Sequence, residues 1–223
     1  MNKKLVISCT LLLFTVAVTA QVNFDVTIAE KKRIVQGSEI FQKSDDEIFA
    51  NAMLWAINEG PVRKEEILDF DFTKHELAMI YNLKKDGDVA YSCRLTLRAS
   101  SGRLFFLVNE IKIQGGFFGS FQNFDKLNPE KKAKHKDIIN EFERLNNLKI
   151  QELFEYVSNN NPKITNWRNV CLGKIDKGMS VDEAILVYGK PINVQSEGNK
   201  EQYMFSSFVY VYIEDGLITA YVN

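Results

Sequence analysis

The sequence predicts an α+β fold in two parts, and three observations predict it. From Glu65 to Ile113 apolar and polar residues alternate with period two over successive runs, the signature of half-buried antiparallel strands. A capped helix precedes that meander and a longer amphipathic helix follows it. After the polar, helix-breaking stretch Ser158-Asn159-Asn160-Asn161-Pro162, a second short helix leads into strands that run to the end of the chain. The expected boundaries are a first domain over residues 21–125, a connecting helix or pair of helices over 126–161, and a second module over 162–223.

The chain opens Met1-Asn2-Lys3-Lys4, continues with an apolar run from Leu5 to Val18 and reaches Val18-Thr19-Ala20. That is the basic, apolar and small-residue order of a secretory signal, with cleavage expected after Ala20 and Gln21 as the new N-terminus. The run is shorter than the roughly 20 apolar residues of a membrane span. Val6-Ile7-Ser8-Cys9 resembles a lipoprotein box but stands too close to the lysines. The expectation is a periplasmic or secreted protein with no transmembrane segment in its mature chain. Losing Lys3 and Lys4 takes the formal charge from −1 to −3, which gives no electrostatic case for nucleic acid. Cys93 and Cys171 remain. A bond between them would cross the expected domain border, so two free thiols are expected.

In the first part, Phe24 to Val35 supplies a strand through Val26, Ile28, Ile34 and Val35. Ser44-Asp45-Asp46-Glu47 has capping-box spacing, and Ile48, Phe49, Ala52, Trp55 and Ala56 form the apolar stripe of a helix that Gly60-Pro61 ends. Leu68, Phe70 and Phe72 then alternate with Asp69, Asp71 and Thr73. Lys74-His75 turns the chain, and Leu77, Met79, Tyr81 and Leu83 continue inward. Asp86-Gly87 is a hairpin signal. Val89, Tyr91, Cys93, Leu95 and Leu97 form the inward side of the next strand, and Ser100-Ser101-Gly102 turns into a last one, Leu104 to Ile113. Asn128-Pro129-Glu130 reads as the start of the connecting helix. Its apolar face shifts near Asn146-Asn147, which predicts a kink or two helices.

This order of strand, helix and meander resembles the TBP-like domain of unknown function (family 4468) of secreted Bacteroidota proteins. The matching pieces are the first strand, the Ser44–Asn58 helix with Trp55, and the meander ending Phe106 to Ile113. The resemblance implies an antiparallel meander with helices on one face, and no chemistry.

In the second part, Gly178 permits a turn, Ser180 and Glu183 have capping-box spacing, and Val181, Ala184, Ile185 and Tyr188 form one helical face that Gly189 and Pro191 end. Gln202-Tyr203-Met204-Phe205, then Val209 to Ile213, an Asp215-Gly216 turn and a final strand follow. The layout resembles the SmpA/OmlA (BamE-like) module, which implies a small helix-plus-three-stranded sheet. Family members usually carry a tryptophan where Gln202 or Tyr203 stands. A two-residue turn at Asp215-Gly216 would place Val209, Val211 and Ile213 with Ile218, Ala220 and Val222 beneath the helix. Phe208, Tyr210 and Tyr212 would share the other face with Leu217, Thr219 and Tyr221.

Catalytic patterns are sparse. His75 and His135 are the only histidines and have no metal-ligand spacing. No cofactor is implied. Asp69 and Asp71 share a strand face, as an acid/base pair would need, but equally fit an outward polar face. The run Lys131 to Lys136 reads as a solvated helix face or a contact for an anionic partner. Gly115-Gly116-Phe117-Phe118-Gly119-Ser120-Phe121 offers aromatic side chains on a glycine-rich connection, either as a partner anchor or tucked under the sheet. The expected function is therefore non-catalytic: an exported interaction module that binds a protein or an envelope component through Phe208, Tyr210, Tyr212 and Tyr221, with Phe117 and Phe118 as a second contact. The alternatives are an inhibitor of an extracellular enzyme and a hydrolase with an unrecognised site.

Overall fold

The computed structural model describes residues 24–30, 32–58, 67–85, 88–114 and 121–222, and the architecture is α+β. The leader over residues 1–20, Gly60-Pro61, Asp86-Gly87 and the loop residues 115–120 with Phe117 and Phe118 lie outside the described residues.

The first segment differs from expectation. Where one strand is expected over Phe24–Val35, β1 (Thr27–Ala29) and β2 (Lys32–Ile40) pair antiparallel, because Glu30 takes a φ of +48° and reverses the chain in mid-run. Helix α1 (Asp45–Asn58) begins as its capping box predicts: the Ser44 N–H and hydroxyl donate to Glu47 Oε2 (2.9 and 2.7 Å), and the Glu47 N–H donates back to Ser44 Oγ (3.3 Å). Asp45 accepts the N–H groups of Ser101 and Gly102 (3.0 and 2.8 Å), which ties the helix start to a sheet turn.

Strands β3 (Ile67–Asp71), β4 (Glu76–Lys85), β5 (Asp88–Ser100) and β6 (Arg103–Gln114) form the predicted meander, with short β7 (Phe121–Asn123) also on β6. The sheet order is β1-β2-β6-β5-β4-β3. Leu77, Met79, Tyr81 and Leu83 of β4 and Tyr91, Cys93, Leu95 and Leu97 of β5 are all buried, as period two requires. In β2, Gly37 admits the Phe24 ring: a Cβ there would lie 2.2 Å from that ring, which meets Phe106 edge-on at 4.8 Å.

Helix α2 (Ala133–Asn159) is one continuous helix of 27 residues, so the chain is not divided into two helices at Asn146-Asn147. The reason lies in its buried stripe: Ile139, Phe142, Asn146, Ile150, Leu153 and Val157 keep one face throughout, with Asn146 taking a core position that reads as polar. The start also moves. Asn128-Pro129-Glu130 forms a turn before the helix, where Asn128 Oδ1 accepts the Lys131 N–H (3.1 Å).

Beyond an extended stretch come α3 (Trp167–Cys171) and α4 (Val181–Tyr188), then β8 (Asn193–Glu197), β9 (Lys200–Met204), β10 (Tyr210–Glu214) and β11 (Leu217–Val222) in the order β11-β10-β9-β8. The small sheet has four strands rather than the expected three. Strand β8 lies at an edge with every residue exposed, and Val194 is its sole apolar side chain, so it carries no alternation to read.

The two parts share one core. Every residue of α1 from Ile48 to Ile57 is buried, including Ala50, Asn51, Met53 and Leu54, which lie off the predicted stripe. The helix meets the large sheet and α2 on some sides and α4 on another. Trp167 stacks on Phe49 (6.4 Å between ring centroids) and meets Phe72 edge-on (5.1 Å). Lys190 Nζ donates to the Asn58 carbonyl at the helix end (2.8 Å).

Candidate functional site

Glu183 ties together the segments that lead into the small sheet. Its Oε2 accepts the Ser180 N–H (2.6 Å) while Ser180 Oγ accepts the Glu183 N–H (3.2 Å), completing the predicted capping box. Its Oε1 also accepts the N–H groups of Thr165 (2.9 Å) and Asn166 (2.6 Å), and the Ser180 hydroxyl donates to the Lys163 carbonyl. One buried carboxylate thus fastens the incoming chain, the start of α3 and the start of α4. Beside it, Asp182 accepts the Lys163 N–H (3.0 Å), and burial pushes its carboxyl above the usual aspartate value. Gly189, at φ +87°, closes the helix as its C-cap.

The register of β10 and β11 sets which side chains face solvent. Glu214 pairs with Leu217 and Ile213 with Ile218, as the Asp215-Gly216 turn predicts, but Tyr212 then pairs with Ala220, leaving Thr219 bulged out of the ladder. Every β11 residue beyond the bulge changes face. Val211, Ile213 and Ile218 remain buried, whereas Ala220 and Val222, expected beneath the helix, are exposed. Tyr221 pairs with Val211 and leaves the face of Tyr210 and Tyr212, although it is still 36% exposed.

The outward face that results carries Tyr210 between Met204 and Val222, and Tyr212 between Gln202 and Ala220. Tyr212 is 38% exposed, and its hydroxyl accepts Gln202 Nε2 at 3.5 Å. With Gln195 and Gln202 it walls a shallow depression of about 420 Å³ that extends to the β8–β9 hairpin. At the margin of the sheet, in the turn before β10, Phe208 is 79% exposed, the most exposed of the large apolar side chains described. Phe208 and Tyr212 are therefore exposed on the outward side of the small sheet, and Tyr210 is half-buried between them. Tyr221 does not join them.

The other candidates fall into structural roles. Asp71 accepts the N–H groups of Thr73 (2.9 Å) and Lys74 (3.1 Å) and pairs with Lys74 Nζ (2.9 Å), so that Lys74 holds its carboxyl below the usual value. It caps a turn, and Asp69 is exposed on the strand before it. His75 Nε2 lies 2.6 Å from Asp46 Oδ1 with its ring against Phe49, a pairing across 29 positions that no local sequence signal announces. His135 is half-buried in the first turn of α2, and its Nδ1 accepts the Asn128 N–H (2.8 Å), which ties the helix start to the turn before it. Cys93 is buried, donates to the Tyr81 carbonyl (3.2 Å), and has its thiol pushed far up by burial, which keeps it from reacting as a thiolate. Cys171 is exposed, and the two cysteines are unpaired. Among the described residues no group of three or more His, Cys, Asp or Glu could hold a metal ion, and no helix is long and apolar enough to cross a membrane.

No family model matches the chain, and no curated protein matches it. Two solved structures are similar to it. One is a DUF4468 family protein from Bacteroides ovatus, at 12% identity, covering 62% of this chain and 93% of that one with a TM-score of 0.44. The other is a TBP-like protein from Parabacteroides distasonis, at 14% identity, covering 59% of this chain and 94% of that one with a TM-score of 0.45.

Proposed function

We propose that this protein is an exported, non-catalytic interaction module that binds another protein or an envelope component through the outward face of its small sheet. The observation that carries this reading is the exposure of Phe208 and Tyr212, with half-buried Tyr210 between them, on one side of a sheet whose other side is buried through Val211, Ile213 and Ile218. Tyrosines at a wet sheet face suit recognition, because each offers apolar area and a polar tip at low entropic cost. Export rests on the leader-like first 20 residues, with cleavage after Ala20. The BamE-like reading of residues 162–223 rests on the capped helix followed by an antiparallel sheet, extended here by β8. The TBP-like reading of residues 21–125 rests on the strand, helix and meander order.

The exposed ring of Phe208 supports a second reading, an inhibitor that inserts an aromatic turn into an enzyme cleft. A triple variant, Phe208→Ser with Tyr210→Ser and Tyr212→Ser, separates surface from scaffold. Immobilised on beads and exposed to envelope extract, the wild-type chain should retain a defined partner that the variant loses, while the melting temperature stays nearly unchanged. Retention of the same partner by the variant would refute the proposed surface. Loss of capture by Phe208→Ser alone, with an enzyme as the retained partner, would select the inhibitor reading.

A further inference from the structure

The large sheet has a second open face. Its inward residues are buried against helices, whereas the alternate residues Thr96, Arg98, Phe105 and Leu107 are half-buried or exposed. The strand register sets two rows across this face: Ser38–Phe105–Arg98–Glu76, and beside it Gln36–Leu107–Thr96. Directly paired residues of an antiparallel sheet share a face, so the side chains of each row stand together. They line a shallow depression of about 480 Å³. Four strands at about 4.8 Å spacing make the longer row roughly 14 Å from end to end.

The chemistry of that depression is specific. Phe105, 41% exposed, offers an aromatic plate at its centre. Around it stand a planar guanidinium, a planar carboxylate, a primary amide and two hydroxyls, side chains that donate and accept in forked geometries. Ser38 Oγ already accepts Arg103 Nη1 at 3.4 Å, which fixes the hydroxyl and leaves its hydrogen to donate. The lining holds one cation and one anion. In the flanking rows lie Arg103 and Arg94, and one strand beyond lie Asp69 and Asp71, the latter paired with Lys74, so cations and anions stay nearly equal around the depression and it carries no strong charge of one sign. Strands β4, β5 and β6 beneath are each paired on both sides, so no backbone amide is free to hold an extended peptide there.

We infer that this face binds a neutral oligosaccharide, with the C–H face of one sugar ring on Phe105 and its hydroxyls held by Arg98, Glu76 and Gln36. An apolar plate with a few convergent forked groups matches such a ligand, which has an apolar ring face and a rim of vicinal hydroxyls. The site is separate from the small-sheet surface, so the two can fail independently.

The test is titration calorimetry of the purified chain with maltotriose, cellotriose, mannotriose and tri-N-acetylchitotriose, with heparin as a polyanionic control. At least one neutral trisaccharide should bind. Phe105→Ala and Arg98→Ala should each weaken it by about tenfold or more, without lowering the melting temperature, while the small-sheet triple variant binds it as wild type does. Absence of binding to all four sugars, binding that Phe105→Ala leaves intact, or binding of heparin alone would each overturn the inference.

Discussion

Glu183 shows how one side chain can decide whether a module is assembled. Its two oxygens accept three backbone N–H groups from Thr165, Asn166 and Ser180, none of which has another acceptor in the hydrogen bonds described. Removing the carboxylate leaves buried or half-buried donors without acceptors, and each such donor costs about 1–3 kcal/mol. Glu183→Ala should therefore destabilise the chain by about 3–5 kcal/mol, seen as a fall of roughly 10 °C or more in melting temperature for a chain of this size. Glu183→Gln should rescue little of this, because its –NH₂ would point donors at donors. A Glu183→Gln variant as stable as wild type would show that only one of the two oxygens matters. The spacing from Ser180 makes the capping box readable in the sequence. The bonds to Thr165 and Asn166 cross 18 and 17 positions and carry no pattern.

At the scale of elements, α2 makes the sharper case. Its buried stripe runs without a break only because Asn146 stands in it, and neither Asn146 Nδ2 nor Oδ1 has a hydrogen-bond partner among the described residues. A buried amide left unpaired is a net cost, whereas an apolar side chain of similar volume fits the stripe. Asn146→Leu should stabilise the protein by about 1–2 kcal/mol, measured as a higher urea midpoint with an unchanged slope. A lower midpoint would mean that the amide has a partner that holds it in place. The same residue explains a misreading: an asparagine pair looks like a helix boundary until tertiary packing shows one of them facing the core. Elsewhere, elements were legible where a local rule had few competitors. The alternation of β4 and β5 and the boxes at Ser44 and Ser180 specify their structures within a few residues. Strand β8 was illegible because an exposed edge strand needs no apolar side chain. The bulge at Thr219, which removes Tyr221 from its expected face, is announced by no residue type in β11.

For the whole molecule the decisive feature is that α1 is buried on every side. A helix covered by a sheet alone would keep a polar stripe, yet α1 carries Ala50, Met53 and Leu54 where that stripe would lie, all of them buried, and the helix also meets α4. A sequence reading that assigns α1 to one domain and α4 to another counts a single stripe and leaves the other apolar positions without a role. The seam between the two parts therefore includes α1, α3, α4 and Phe72 of the large-sheet region. Trp167 is the side chain that tests this arrangement, because it comes from the second part and lies against Phe49 and Phe72 of the first. Trp167→Ala removes a half-buried indole and two aromatic contacts, which should cost about 2–4 kcal/mol. If the shared core makes the chain one cooperative unit, the loss will lower a single transition, with far-ultraviolet and near-ultraviolet circular dichroism melting together and the calorimetric enthalpy equal to the van't Hoff value. Two separated transitions, with only the smaller one shifted by the substitution, would show instead that the parts fold independently and that α1 keeps its structure without its second cover.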